Sequence, residues 1–265
     1  MYKALIVDLE STDDKTITSI SWAKFCIKKK RVETRMRNVP SISDRKHFFV
    51  QENMSKLDDS SMYKFTKFRK ECIVNRVHGI ESKITSWESI AEELEMDLVE
   101  NDYNFISHSV DNDVTKIVVT NDLYGKDKTR FIRDPMSFPH AYSDRPLWNN
   151  VNFICSQMII NYRAPAFKDE LIKSYVANQA EFTYRYGSSV QVRKFRGAHD
   201  ERISLALTDI VRHRLKKDTS QSHTAYKDVL DLYDVLVDVF NNDGIDAFPC
   251  ENFYVRKPNA TTGIR

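Results

Sequence analysis

The sequence predicts an α/β fold, a mixed β-sheet flanked by helices, and three observations carry that expectation. Ala4-Leu5-Ile6-Val7 is a short apolar run rich in β-branched residues, the composition of a buried strand. Ser86 to Leu98 places Trp87, Ile90, Ala91 and Leu94 on one helical face, and a second strand-like run, Asn104-Phe105-Ile106-Ser107-His108, follows it. Thr224 to Phe240 carries a regular helical stripe of Val229, Leu232, Tyr233, Leu236 and Phe240. Strands alternating with helices point to a sheet with covering helices.

Taken in chain order, the first strand delivers Asp8 and Glu10 at its C-terminal end. Thr16 to Ile27, with Ile17, Ile20, Trp22 and Phe25, reads as the second strand, and either Arg31 to Val39 or His47 to Val50 continues the sheet. Ser86 is placed to cap the next helix, with Glu88 and Ser89 in its first turn. The run at Asn104 leaves into a turn, and a helix is expected to begin near Asp113. Residues 120–150 hold Gly125, Pro135, Pro139 and Pro146 and read as an irregular insertion. Asp200 to Lys216 is expected to be helical, with Ile203, Leu207, Ile210 and Val211 on one face. The expected organisation is a single domain over residues 1–240, with insertions near 28–70 and 120–150, and a C-terminal tail over 241–265.

Apolar residues at 41% and charged residues at 29% of 265 place the chain in the globular class. Forty basic against 38 acidic side chains leave a net charge of +2, too weak a field to argue for a polyanionic partner from the whole chain. Any phosphate-binding surface must therefore be local. One candidate is Lys28, Lys29, Lys30 and Arg31, continuing to Arg35 and Arg37; another is Lys64, Lys67, Arg69 and Lys70, with Phe65 and Phe68 between them. Cations interleaved with rings suit a single nucleic-acid strand, and a solvated strand or helix face accounts for either run equally well. Six glycines form no phosphate-cradling loop, and four scattered cysteines form neither a zinc motif nor a disulfide framework. With no leader-like N-terminus and no membrane-length apolar stretch, the expectation is a soluble, cytoplasmic protein without a membrane partner. Nothing in the sequence fixes its oligomeric state.

Side chains two apart on a strand share a face, so Asp8 and Glu10 point the same way and repel unless a cation neutralises them. Hard divalent metals prefer such oxygen ligands, although an exposed strand end gives the same pattern. Asp113 reads either as a third ligand or as a helix cap, and His199 either as a functional imidazole or as a surface residue before a helix.

In order and spacing these segments resemble the DEDDh 3′→5′ exonucleases, the RNase H-like family that includes the proofreading subunit of bacterial replicative polymerase. Asp8-Leu9-Glu10-Ser11 matches the first motif, and Val77-His78-Gly79-Ile80 stands where relatives carry a similar segment before a helix. His108-Ser109-Val110-Asp111-Asn112-Asp113 matches the second motif in outline, with Ser109 where Asn is usual, and Phe153-Ile154-Cys155-Ser156 resembles a later strand. His199 to Thr208 matches the third motif, except that the position five after the histidine is Ser204 instead of aspartate. The resemblance covers roughly residues 1–215.

It implies an RNase H-like fold and hydrolysis at the 3′ end of a single-stranded DNA or RNA, with two Mg²⁺ or Mn²⁺ ions as cofactors. Asp8 would bridge both ions, Glu10 would serve the ion on the water side and Asp113 the ion on the leaving-group side. His199 would accept the proton of the attacking water. Nucleic-acid contacts are expected from Ser11, His108, Lys28, Lys29 and Lys30. A hydroxyl at Ser204 is a poor partner for a hard dication, and Asp200, Asp209 and Ser204 itself are the candidates for the substitute ligand. The alternative is a catalytically weak or inactive exonuclease-fold protein that binds nucleic acid or a protein partner.

Overall fold

The first strand sets the geometry of the molecule. β1 (Tyr2–Ser11) buries Leu5, Val7 and Leu9 on one face and Ala4 and Ile6 on the other, which explains a continuous apolar run in place of strict alternation. The computed structural model describes residues 1–12, 14–54, 61–100, 102–127, 151–186, 189–195, 203–220 and 224–254. β2 (Ile17–Val32) runs antiparallel to β1, and β3 (Arg35–Val50) returns antiparallel to β2 through a turn at Glu33 and Thr34. β4 (Lys83–Thr85) joins β3 in parallel; β5 (Asn104–Ser107) and β6 (Phe153–Cys155) extend the other side of β1 in parallel. The order is β4-β3-β2-β1-β5-β6, and β2 alone opposes the rest. This is an α/β fold with a mixed sheet, compatible with an RNase H-like topology.

Helices cover both faces. On one lie α2 (Trp87–Glu95), extended by a π turn over Met96–Glu100, and α3 (Val110–Tyr124). Trp87, Ile90, Leu94, Val114 and Ile117 pack there against Leu5, Val7, Ile20 and Trp22. Ser86 caps α2 as expected, its hydroxyl accepting from the Ser89 amide. On the other face lie α4 (Ser156–Tyr162), α5 (Pro165–Ala177), α6 (Leu207–His213) and α7 (Ala225–Asp243). Leu171, Ile210, Val229, Leu232 and Leu236 pack there against Ala4, Ile6, Ala23 and Phe25. α1 (Ser61–Val77) lies against β3 through Phe68 and Phe49, and β7 (Glu181–Tyr186) pairs with β8 (Ser189–Lys194) as a separate hairpin.

Three expectations change. Residues 28–50 are sheet, because β2 and β3 form one long hairpin whose tip carries the basic run. Within Asp200 to Lys216, α6 begins only at Leu207. The Ser204 carbonyl accepts from the Tyr175 hydroxyl and the Leu205 carbonyl from the His108 ring, so neither serves a helical turn. After α7, Phe248 packs on Tyr2 with ring centroids 5.3 Å apart, and Phe253 bridges Ile154, so the chain up to Tyr254 folds back onto the sheet. Residues 128–150 and 255–265 lie outside the described residues. Among the described residues no helix is long and apolar enough to cross a membrane.

Candidate metal centre

Asp8 and Glu10 continue the β1 face that carries Ala4 and Ile6, the face covered by α7. The first turn of α7 brings Asp228 to the same place, one turn beyond Thr224, whose carbonyl receives the Asp228 amide. Carboxylate oxygens of Asp8, Glu10 and Asp228 lie within 4.8 Å of one another, and all three residues are half-buried. Asp113, in the first turn of α3, is buried and acts on Asp8 electrostatically from beside this trio. Three acids from one strand and the N-terminus of α7 thus meet at the end of β1, with Asp113 of α3 near enough to act on Asp8.

The electrostatics are those of a site short of positive charge. Burial holds the Asp8 carboxyl well above its usual range, and the charges of Asp228, Asp113 and Glu10 push it further, against a smaller pull from Lys116. Burial pushes Asp113 up to about 6, against Lys116 and the polar groups of Ser107 and Ser109. The donor set is all oxygen, anionic and clustered, which is the chemistry a hard divalent cation takes.

These shifts fix a pH dependence. Asp113 binds its proton more tightly folded than unfolded, so acidification favours the fold between about pH 6 and pH 4, and raising the pH through that window removes the stabilisation. The thermal midpoint of metal-free protein, measured against Asp113→Asn, should therefore fall relative to the variant as pH rises to about 7. A constant difference across the window would contradict the shift.

A buried brace joins the strand beside Glu10 to the helix that carries Asp228. Glu71 of α1 and His47 of β3 are almost inaccessible, at 3% and 1% exposure. Glu71 Oε1 accepts from the Ser19 hydroxyl at 2.8 Å, from His47 Nε2 at 3.0 Å and from the Ala225 amide at 3.2 Å. Ser19 is the cross-strand partner of Glu10, and Ala225 opens the helix that carries Asp228, whose N-cap Thr224 makes no side-chain capping bond. One carboxylate therefore caps α7 from outside and ties it to the strand beside Glu10. Glu71→Ala leaves three buried donors unmatched. Its expected cost is roughly 3 kcal/mol, or about 8 °C in thermal midpoint, with Mn²⁺ affinity of the folded protein reduced at least about tenfold.

The remaining expected residues are dispersed. Ser11 ends β1 half-buried, opposite Ile17. His108 is a structural link: its Nε2 donates to the Leu205 carbonyl, so Nδ1 accepts from the Ser156 hydroxyl at 2.8 Å. Burial lowers its pKa to about 4. The ring is neutral, with neither nitrogen free for a nucleic acid. Ser204 and Asp209 stand outside the group formed by Asp8, Glu10 and Asp228; the Ser204 hydroxyl donates to Asp209 at 2.6 Å at the start of α6. Lys28, Lys29 and Lys30 are exposed at the opposite end of β2 from Ser19, remote from the acids. His199 and Asp200 lie outside the described residues.

Asp228 is the candidate ligand that sequence reasoning missed, and a signal for it existed. His223 stands five positions before Asp228, the spacing sought at His199 and Ser204. His223 itself lies outside the described residues. Compared with known proteins, the chain matches no family model and no curated protein, so the functional case rests on this geometry and on the motifs around Asp8, Asp113 and Asp228.

Proposed function

We propose that the protein is a metal-dependent 3′→5′ exonuclease of the DEDDh kind, acting on a DNA or RNA strand. The observation that carries this reading is the meeting of Asp8, Glu10 and Asp228, with Asp113 beside them, which supplies the fourth acid that Ser204 lacks. Asp8, Glu10, Asp113 and Asp228 would hold two Mg²⁺ or Mn²⁺ ions. Such ions, when bound, neutralise the charge that develops on the scissile phosphate and lower the pKa of a coordinated water.

The chain's own residues have separate tasks. Asp8, central among the acids, is held at high proton affinity until a cation enters, so it couples occupancy to deprotonation. Glu71 keeps the first turn of α7 at a fixed distance from β1, and so holds Asp228 against Glu10. His223, at the motif spacing before Asp228, takes the role assigned to His199 from the sequence, accepting the proton of the attacking water.

The test is digestion of 5′-labelled single-stranded DNA and RNA with Mg²⁺ or Mn²⁺. The reading expects a ladder shortened from the 3′ end by the wild type and none from Asp8→Ala. No cleavage with either metal, or cleavage undiminished in Asp8→Ala, would overturn it.

A further inference from the structure

The tip of the β2–β3 hairpin is built unlike the rest of the molecule. β1 pairs with β2 only as far as Tyr2 opposite Ile27, so residues 28–39 form a two-stranded ribbon without a third strand. The ribbon carries Lys28, Lys29, Lys30, Arg31, Arg35 and Arg37 against the single acid Glu33. From Lys28 to Arg37 every residue is exposed. Lys30 sits directly opposite Arg37, and alternation places Lys28 and Arg35 on the same face as this pair.

Like charges facing each other across a ribbon are destabilising, and a lone two-stranded ribbon is marginal to begin with. A solubilising surface would mix signs, and the same hairpin does so nearer the core. There Lys24 pairs with Asp44 at 2.9 Å and Asp97 at 3.1 Å, and Lys46 with Glu93 at 2.9 Å. None of the six tip cations has an ion-pair partner among the described residues. The arrangement is self-repulsive alone and favourable against a polyanion.

Its place is equally specific. Asp8 is opposite Ser21, and the strand from Ser21 to Lys30 spans about 30 Å, so the ribbon cannot touch a phosphate held at the acids. We infer that the ribbon is a second nucleic-acid contact, gripping the phosphate backbone well upstream of the 3′ end, so that long strands are favoured over short ones. At about 3.4 Å of axis per phosphate, roughly nine phosphates of a stacked strand separate the two places. The identity of the ligand rests on the exonuclease reading; the remoteness of the ribbon does not.

The experiment compares wild type with a K28Q/K30Q/R35Q/R37Q variant, which removes four charges and leaves polar side chains, in chelator so that nothing is cleaved. Binding of a DNA strand of about 20 nucleotides and of a trinucleotide is followed by fluorescence anisotropy at several salt concentrations. With four cations removed from the phosphate backbone, the long strand should bind several hundred-fold more weakly at about 0.1 M salt, and its salt slope should fall by about 3. The trinucleotide should bind both proteins alike. Equal binding of the long strand by both proteins overturns the inference, as does an equal loss for the trinucleotide, which would mean that the ribbon does not favour long strands. A poly-glutamate that binds the ribbon as tightly as the long strand would assign it to an acidic protein instead. Because metal and cleavage are absent, these outcomes are independent of Asp8→Ala: an inactive protein with a length-selective ribbon sinks only the exonuclease reading.

Discussion

Asp8→Asn is expected to make the metal-free protein more stable and to abolish its response to metal. Asp8 stands among Asp228, Asp113 and Glu10, and burial and all three charges act against its ionised form. Replacing it by a neutral isostere relieves that repulsion by on the order of 2 kcal/mol, a rise of about 5 °C for a chain of this size. The same change removes the central ligand, so the rise in thermal midpoint that Mg²⁺ or Mn²⁺ gives the wild type should vanish. A thermal scan of both proteins, with chelator and with metal, reads both effects. A purely structural cluster would lose stability on substitution and show no metal response in either protein.

The second large effect separates Asp228 from Ser204. Asp228→Asn should lower hydrolysis by about a thousandfold or more, the several kcal/mol of transition-state stabilisation that a correctly held ion supplies. Ser204→Ala should leave the rate within about threefold, because the Ser204 hydroxyl serves Asp209 at the start of α6 and touches none of the four acids. Single-turnover rates on a labelled strand decide between them. The reverse ranking would return the fourth position to residue 204 and remove Asp228 from the site.

Most of the fold and half of the site were legible in the sequence, for local reasons. β1 could be read because both its faces are buried, and α2 because Ser86 caps a clean apolar stripe. Asp8 and Glu10 could be placed because they share a face at the end of β1, and Asp113 because it follows β5 closely, in the first turn of α3. The long hairpin was seen only in pieces, since beyond Ile27 its strands have no buried face to impose a pattern. Asp228 was missed because three histidines, His199, His213 and His223, lie near the end of the domain. Choosing between them depends on which helix packs over β1, a tertiary fact: α7 does so through Val229 and Leu232. The brace at Glu71 was invisible for the same reason. Its partners Ser19, His47 and Ala225 lie on three separate elements, and nothing in their spacing announces a shared carboxylate.

The convergence of the acids as a divalent-metal centre is tested most directly by titrating Mn²⁺ into wild type and Asp228→Asn by calorimetry at neutral pH. Two ions per chain bound by the wild type, with binding weakened at least about a hundredfold in Asp228→Asn, is the result expected of a centre built from Asp8, Glu10, Asp113 and Asp228. Absence of binding, or binding that Asp228→Asn leaves unchanged, would contradict it.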